Sequence, residues 1–178
     1  MSEKSGRYER SFGGLIGAMI ITVAAVVGFV VWKGTFEGDA TQEVLPVDWR
    51  ESVEMAQDAG MRVVHPDELP DGWTATSVHL VAVGEAQWGL GALTSDDDYV
   101  GIRQQDTSLN DMVSTYIDED AAAGEEFTLD SGVATTWQSW SDEGGDTGYS
   151  AEVDGDVVLV YGSAPAAVIE SYIALLTR

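Results

Sequence analysis

Between Arg10 and Lys33 the chain runs for twenty-two residues without a charge, SFGGLIGAMIITVAAVVGFVVW. As a helix rising about 1.5 Å per residue, this stretch reaches about 33 Å, enough to cross a bilayer's hydrocarbon core of about 30 Å. Three readings compete for it. A cleaved signal peptide has an apolar region of about 7–15 residues followed by small residues at a cleavage point, but this run is longer and ends in Trp32-Lys33-Gly34-Thr35-Phe36. The absence of cysteine removes a lipoprotein processing site. A buried core helix would carry a polar face, and only Ser11 and Thr22 are polar here. The expectation is an uncleaved transmembrane helix over residues 11–33.

The flanks give that helix a direction. The first ten residues hold Lys4, Arg7 and Arg10 against two acids, whereas residues 33–178 hold five basic and 29 acidic residues. Basic residues favour the cytoplasmic side, and aromatic residues such as Phe12, Trp32 and Phe36 favour the two interfaces. The chain therefore divides into a cytoplasmic tail (1–10), the membrane helix (11–33), an acidic stalk (34–46) and an extracytoplasmic domain (47–178), a single-pass protein of the cell membrane. Gly13, Gly17, Ala24 and Gly28 fall near one face of the helix. Small residues at this spacing permit close helix–helix packing and a homodimer, although glycine and alanine are also simply common in such helices.

Outside the membrane, about 145 residues suffice for one packed domain. Its acidity argues against nucleic acid or anionic lipid as partner, since both demand Lys or Arg. It suits basic partners, cation atmospheres or adaptation to salt. Asp48-Trp49-Arg50-Glu51 opens a helix with a capping-box pattern, Val53 and Ala56 face inward, and Gly60 stops it. A short strand is expected at Met61–Val64, followed by a proline turn from Pro66 to Gly72. Two similar halves come next. Strands at Trp73–Val83, Gln87–Thr94 and Tyr99–Gln104 lead to a helix from Ser108 to about Asp120. Strands at Val133–Trp140, Gly148–Val153 and Asp156–Gly162 lead to a helix from Pro165 to Leu176, with an extra strand at Glu126–Leu129 between the halves. The echo of Asp98–Ile102 in Asp156–Val160 supports a duplicated βββα unit. Asp154-Gly155 is a strong hairpin signal. Val157–Tyr161, apolar without alternation, belongs at the sheet centre. The fold class is α+β, an antiparallel sheet flanked by helices.

No catalytic constellation emerges. Only two histidines, His65 and His79, are available, with no nucleophile elbow, phosphate-binding glycine loop or zinc pair. No cofactor is implied, and the domain is expected not to be an enzyme. The acidic runs Asp96–Asp98, Asp118–Asp120 and Asp142-Glu143 could offer carboxylate oxygens to calcium, but they lack the alternating spacing of a dedicated loop. Trp137 and Trp140, three apart on one strand, point to opposite faces, so one is core and the other partly exposed. Trp88 and Trp140 are the candidate partner-contact residues, core packing being the competing role.

One resemblance stands beside these readings. His65-Pro66, Leu69-Pro70-Asp71-Gly72-Trp73, Gln87-Trp88-Gly89-Leu90-Gly91, Tyr99-Val100-Gly101, Trp137 and Val160-Tyr161-Gly162-Ser163-Ala164 resemble an actinobacterial family, domain of unknown function 4245. The resemblance implies a membrane protein of the cell envelope with no assigned activity. The duplicated plan is also similar to the Mog1/PsbP-like fold, an analogy that carries no function. The expected role is a tethered, non-catalytic domain that binds a protein or envelope component. The alternative is a small-ligand or cation-binding module in the groove between sheet and helices.

Overall fold

The computed structural model describes residues 45–178. The expected tail and membrane helix, with Gly13, Gly17, Ala24 and Gly28, and most of the stalk lie outside the described residues. Among the described residues no helix is long and apolar enough to cross a membrane.

The domain opens with α1, Trp49–Asp58. The Asp48 carboxylate accepts from Glu51 N at 3.3 Å, which satisfies one of the donors orphaned at a helix start. Gly60, at φ +84°, ends the helix in the left-handed conformation that glycine adopts without steric cost. Trp49, Val53 and Ala56 form its buried stripe. Met61–Val64 is not the strand that its composition suggested. Val63 and Val64 are buried in the core, and side chains rather than a ladder hold the backbone at Arg62 and Val64. Gln104 Oε1 accepts from Val64 N at 2.7 Å, Gln104 Nε2 donates to Arg62 O at 2.9 Å, and Trp88 Nε1 donates to Val64 O at 2.9 Å. The strand here is β1, His65–Pro66, paired only with β9, Leu176–Thr177, at the far end of the chain.

Seven strands form the main sheet: β2 (Thr74–Val81), β3 (Gln87–Leu93), β4 (Tyr99–Gln105), β5 (Ala122–Thr128), β6 (Thr136–Ser141), β7 (Thr147–Val153) and β8 (Asp156–Gly162). Their spatial order is β2-β3-β4-β8-β7-β6-β5, with every neighbour antiparallel. Two meanders thus meet at β4 and β8. The apolar run Val157–Tyr161 lies on β8, the fourth strand of seven, as its lack of alternation implies. Asp154-Gly155 makes the β7–β8 turn with both φ values positive, 56° and 99°, which matches the right-handed twist of the flanking strands.

The duplication holds for the strands and fails for the helices. Ile102 and Val160, equivalent in the two echoing segments, are direct partners across β4 and β8, so a local two-fold passes between them. That symmetry would carry both following helices to one face. Instead α2 (Leu109–Tyr116) packs Met112, Tyr116 and Ile117 against Leu159 and Tyr161 on the back face. On the front face α3 (Ala166–Ile173) packs Ile169, Tyr172 and Ile173 with α1 against Trp88, Ile102, Val158 and Val160. The two halves part at Gly162. At φ +157° it sits so close to the Tyr99 carbonyl that any Cβ would collide, and Ala164 N then donates to Tyr99 O at 3.3 Å. No glycine stands at the end of β4.

Both helices are shorter than expected. The cap of α2 is in place, with Ser108 Oγ accepting from Asp111 N at 3.2 Å. Asp118-Glu119-Asp120 then brings three carboxylates to the negative end of the helix dipole, which they destabilise, and the helix stops at Tyr116. The end of α3 is lost because Leu176 and Thr177 pair with β1. The strand between the halves is longer than Glu126–Leu129 and forms the exposed edge strand β5.

Candidate functional site

The back face carries the features that packing does not explain. Alternation along β6 and β7 puts Gln138, Trp140, Gly148, Ser150 and Glu152 on this side. Gly148 is needed because a Cβ there would collide with Ile117 Cδ1, where the end of α2 descends onto the sheet. That close approach leaves a groove of about 220 Å³ between α2 and β6, lined by Asn110, Asp111, Val113, Asp118, Glu119 and Trp140.

Trp140 is half-buried at the floor of this groove. Its Nε1 donates to Ser150 Oγ at 2.8 Å, and Ser150 is only 3% exposed. The indole is thereby oriented from below with its polar atom satisfied, and what it offers outward is aromatic surface. Trp137, on the opposite face of the same strand, is fully buried, as the spacing of the two predicted. Trp88, the other expected contact residue, is also fully buried and spends its N–H on Val64 O. It belongs to the core and offers no surface to a partner, a correction to the sequence reading.

Carboxylates ring the groove. A recess of about 490 Å³ adjoins it through Asp118 and adds Asp120, Asp142 and Glu143. A third depression of about 210 Å³, lined by Leu109, Glu126, Gln138, Ser150, Glu152 and Val157, lies at the start of α2. Several of the acids are held in place. Asp142 Oδ1 accepts from Gly145 N and Asp146 N at 2.7 Å each, Asp118 Oδ1 from Asp120 N at 2.8 Å, and Asp111 Oδ2 from Ser108 Oγ at 2.6 Å. The runs Asp118–Asp120 and Asp142-Glu143 therefore come together, whereas Asp96–Asp98 stays apart in the β3–β4 turn. There Asp97 takes φ 64° and Thr94 Oγ1 accepts from Asp96 N and Asp98 N. Among the described residues no three His, Asp or Glu side chains converge closely enough to hold a metal ion.

The histidines stand on different sheets. His65 Nδ1 donates to Pro66 O at 2.9 Å beside Trp49, and His79 Nε2 lies 3.0 Å from Gln87 Oε1. The strongly shifted groups are phenols. Burial first, then the neighbouring Tyr161, pushes Tyr99 ionisation far up. Burial and the 2.9 Å hydrogen bond to Glu170 do the same for Tyr149, and burial for Tyr172. These tyrosines stay neutral and serve packing. The sequence reading passed over Ser150 and Gln104. Gln104 was detectable as the polar member of the Val100, Ile102, Gln104 face of β4, whereas nothing along the chain marks Ser150 as the support of Trp140.

The fold and this face define an α+β domain with an open antiparallel sheet and an acidic, tryptophan-floored groove. Residues 7–176 match the family described as protein of unknown function, domain of unknown function 4245, and the chain belongs to it. No curated protein and no solved structure matches the chain.

Proposed function

We propose that the chain is a single-pass membrane protein whose domain, held outside the cytoplasm, binds a protein or envelope component without catalysis through the face around Trp140. The uncharged run 11–32 and its asymmetric flanks support the anchoring and the orientation. The observation that carries the binding role is the Trp140 indole, fixed from below by a buried serine yet open to a groove. A ring held this way loses little rotamer freedom when it is covered, which is a common property of residues that dominate interfaces. The alternative, a small-ligand or cation-binding module, finds support in the recess lined by Asp118, Asp120, Asp142 and Glu143. It is the weaker reading, because those carboxylates are spread around the recess rather than converging.

The test is photocrosslinking in living cells with a photoreactive residue at position 140, compared with one at Val83, an 89% exposed position at the β2–β3 hairpin. One discrete adduct from position 140 and none from 83 is expected; equal labelling from both positions overturns the reading. Protease added outside intact cells should digest the domain, and protection of the domain would refute the orientation.

A further inference from the structure

We infer that the partner is cationic, a lysine- or arginine-rich segment of another polypeptide, with one basic side chain seated over the exposed face of Trp140 beside Asp118 and Glu119. This rests on the Trp140 face being the binding face and specifies what it recognises.

Three observations converge on that chemistry. The first is charge without partners. Residues 45–178 hold 26 carboxylates and four arginines. The only ion pairs among the described residues join Arg62 and Arg178 to one carboxylate, Asp154. Every acid lining the three back-face recesses lacks a cationic partner there, so a basic segment would find charges that nothing in the domain neutralises. An anionic partner would be repelled.

The second is the chemistry of an aromatic face. A cation within about 6 Å of an indole centroid is attracted by the ring's quadrupole. The domain already satisfies two of its rings in this way: Arg50 Cζ lies 4.6 Å over Trp49 and Arg103 Cζ lies 4.9 Å over Tyr116. Trp140 has no cation over it among the described residues. Arg103 cannot supply one, since β4 and β6 are separated by β8 and β7, about 14 Å across the sheet at the usual strand spacing.

The third is extent. The recesses of about 220, 490 and 210 Å³ are set around α2 and are lined in total by eight carboxylates. Several separate acidic depressions accept several basic side chains of one chain better than a single small cation. A neutral glycan could also stack on the indole, but it would make no use of the charge.

The experiment uses the full chain in phosphatidylcholine vesicles, whose zwitterionic lipid carries no net charge to attract the probe, and a fluorescently labelled hexa-arginine peptide read by anisotropy. Saturable binding is expected at low salt, weakening as ionic strength rises. Trp140→Ala should weaken it about tenfold and Trp140→Phe by no more than about threefold, since one tenfold step corresponds to the energy of a desolvated cation–aromatic contact. Asp118→Asn with Glu119→Gln, both exposed, should also weaken it about tenfold. Asp96→Asn with Asp97→Asn removes the same charge from the distant hairpin and should change it less than about twofold. If the hairpin variant weakens binding as much as the groove variant and Trp140→Ala changes nothing, the attraction is diffuse and the inference fails. Absence of hexa-arginine binding, or tighter binding of a neutral N-acetylglucosamine oligomer, also overturns it. A position-specific adduct from residue 140 in either case leaves the proposed binding face standing, whereas loss of that adduct as well removes both.

Discussion

Gln104 joins the Met61–Val64 segment to the sheet, and its replacement tests that account quantitatively. In Gln104→Leu the side chain keeps its approximate volume, but Val64 N–H and Arg62 C=O lose their partners, and the half-buried Asp156 carboxylate loses one that water can replace. Val64 is fully buried, so water cannot take over from Gln104 without entering the core. Leaving one buried donor or acceptor unpaired costs about 1–3 kcal/mol. With two backbone groups affected and a small gain from burying leucine, the expected loss is about 3 kcal/mol. For a domain of this size that lowers the midpoint of thermal unfolding by about 10 °C. The assay is circular dichroism of the full chain in neutral detergent, with urea unfolding as an independent measure. A Gln104→Leu variant within about 0.5 kcal/mol of wild type would refute the claim that Gln104 substitutes for a strand ladder. An unchanged urea slope would show that the native state, not the unfolded one, absorbed the loss.

Three further outcomes follow from the packing and the charge. Gly148→Ala forces Ile117 and the end of α2 away from β7 and should destabilise by about 1–3 kcal/mol, read by urea denaturation; a neutral substitution would mean that α2 does not sit where it is described. Raising NaCl from low millimolar to molar should raise the melting temperature, because 26 carboxylates face four arginines and screening relieves their mutual repulsion. A melting temperature that falls with salt would refute the claim that repulsion among the acids dominates. The raised ionisation of Tyr99, Tyr149 and Tyr172 stabilises the fold against alkali in a fixed direction. Unfolded tyrosines ionise near about pH 10 while the native ones resist. The stabilisation is thus fully present below that pH and declines as pH rises towards the native values. A falling urea midpoint between pH 9 and 11, with a smaller fall in Tyr149→Phe, is the expected signature.

Much of the sheet was legible along the chain because its physics is local. Turn residues such as Asp154-Gly155 separated the strands, and the unbroken apolar run of β8 announced a strand covered on both faces. What escaped depends on distant partners. Met61–Val64 looks like a strand by composition, but its hydrogen bonds come from Gln104 and Trp88, many residues away. The opposite placement of α2 and α3 shows only in what each packs against, Leu159 and Tyr161 for α2 and Val158 and Val160 for α3. Trp88 as a contact residue conflicts with its setting, because Trp88-Gly89-Leu90-Gly91-Ala92 alternates large with small. That pattern puts the large side chains in the core and leaves the glycines lying beneath Arg103 and Tyr99. The acidic runs were visible as turns, yet their convergence around α2 exists only once β8 inserts between β4 and β7.

That insertion has a consequence for how the chain is made. The central strand is the last of the seven to be synthesised, so β2, β3 and β4 can pair as soon as they emerge while one side of β4 waits for a neighbour some fifty residues later. Through that interval the domain presents an unpaired strand edge, the kind of surface on which chains add to one another. Late closure makes maturation depend on keeping that edge solitary. Gln104, which must wait as well to meet Asp156 on the closing strand at 2.8 Å, puts a polar side chain there in place of an apolar one.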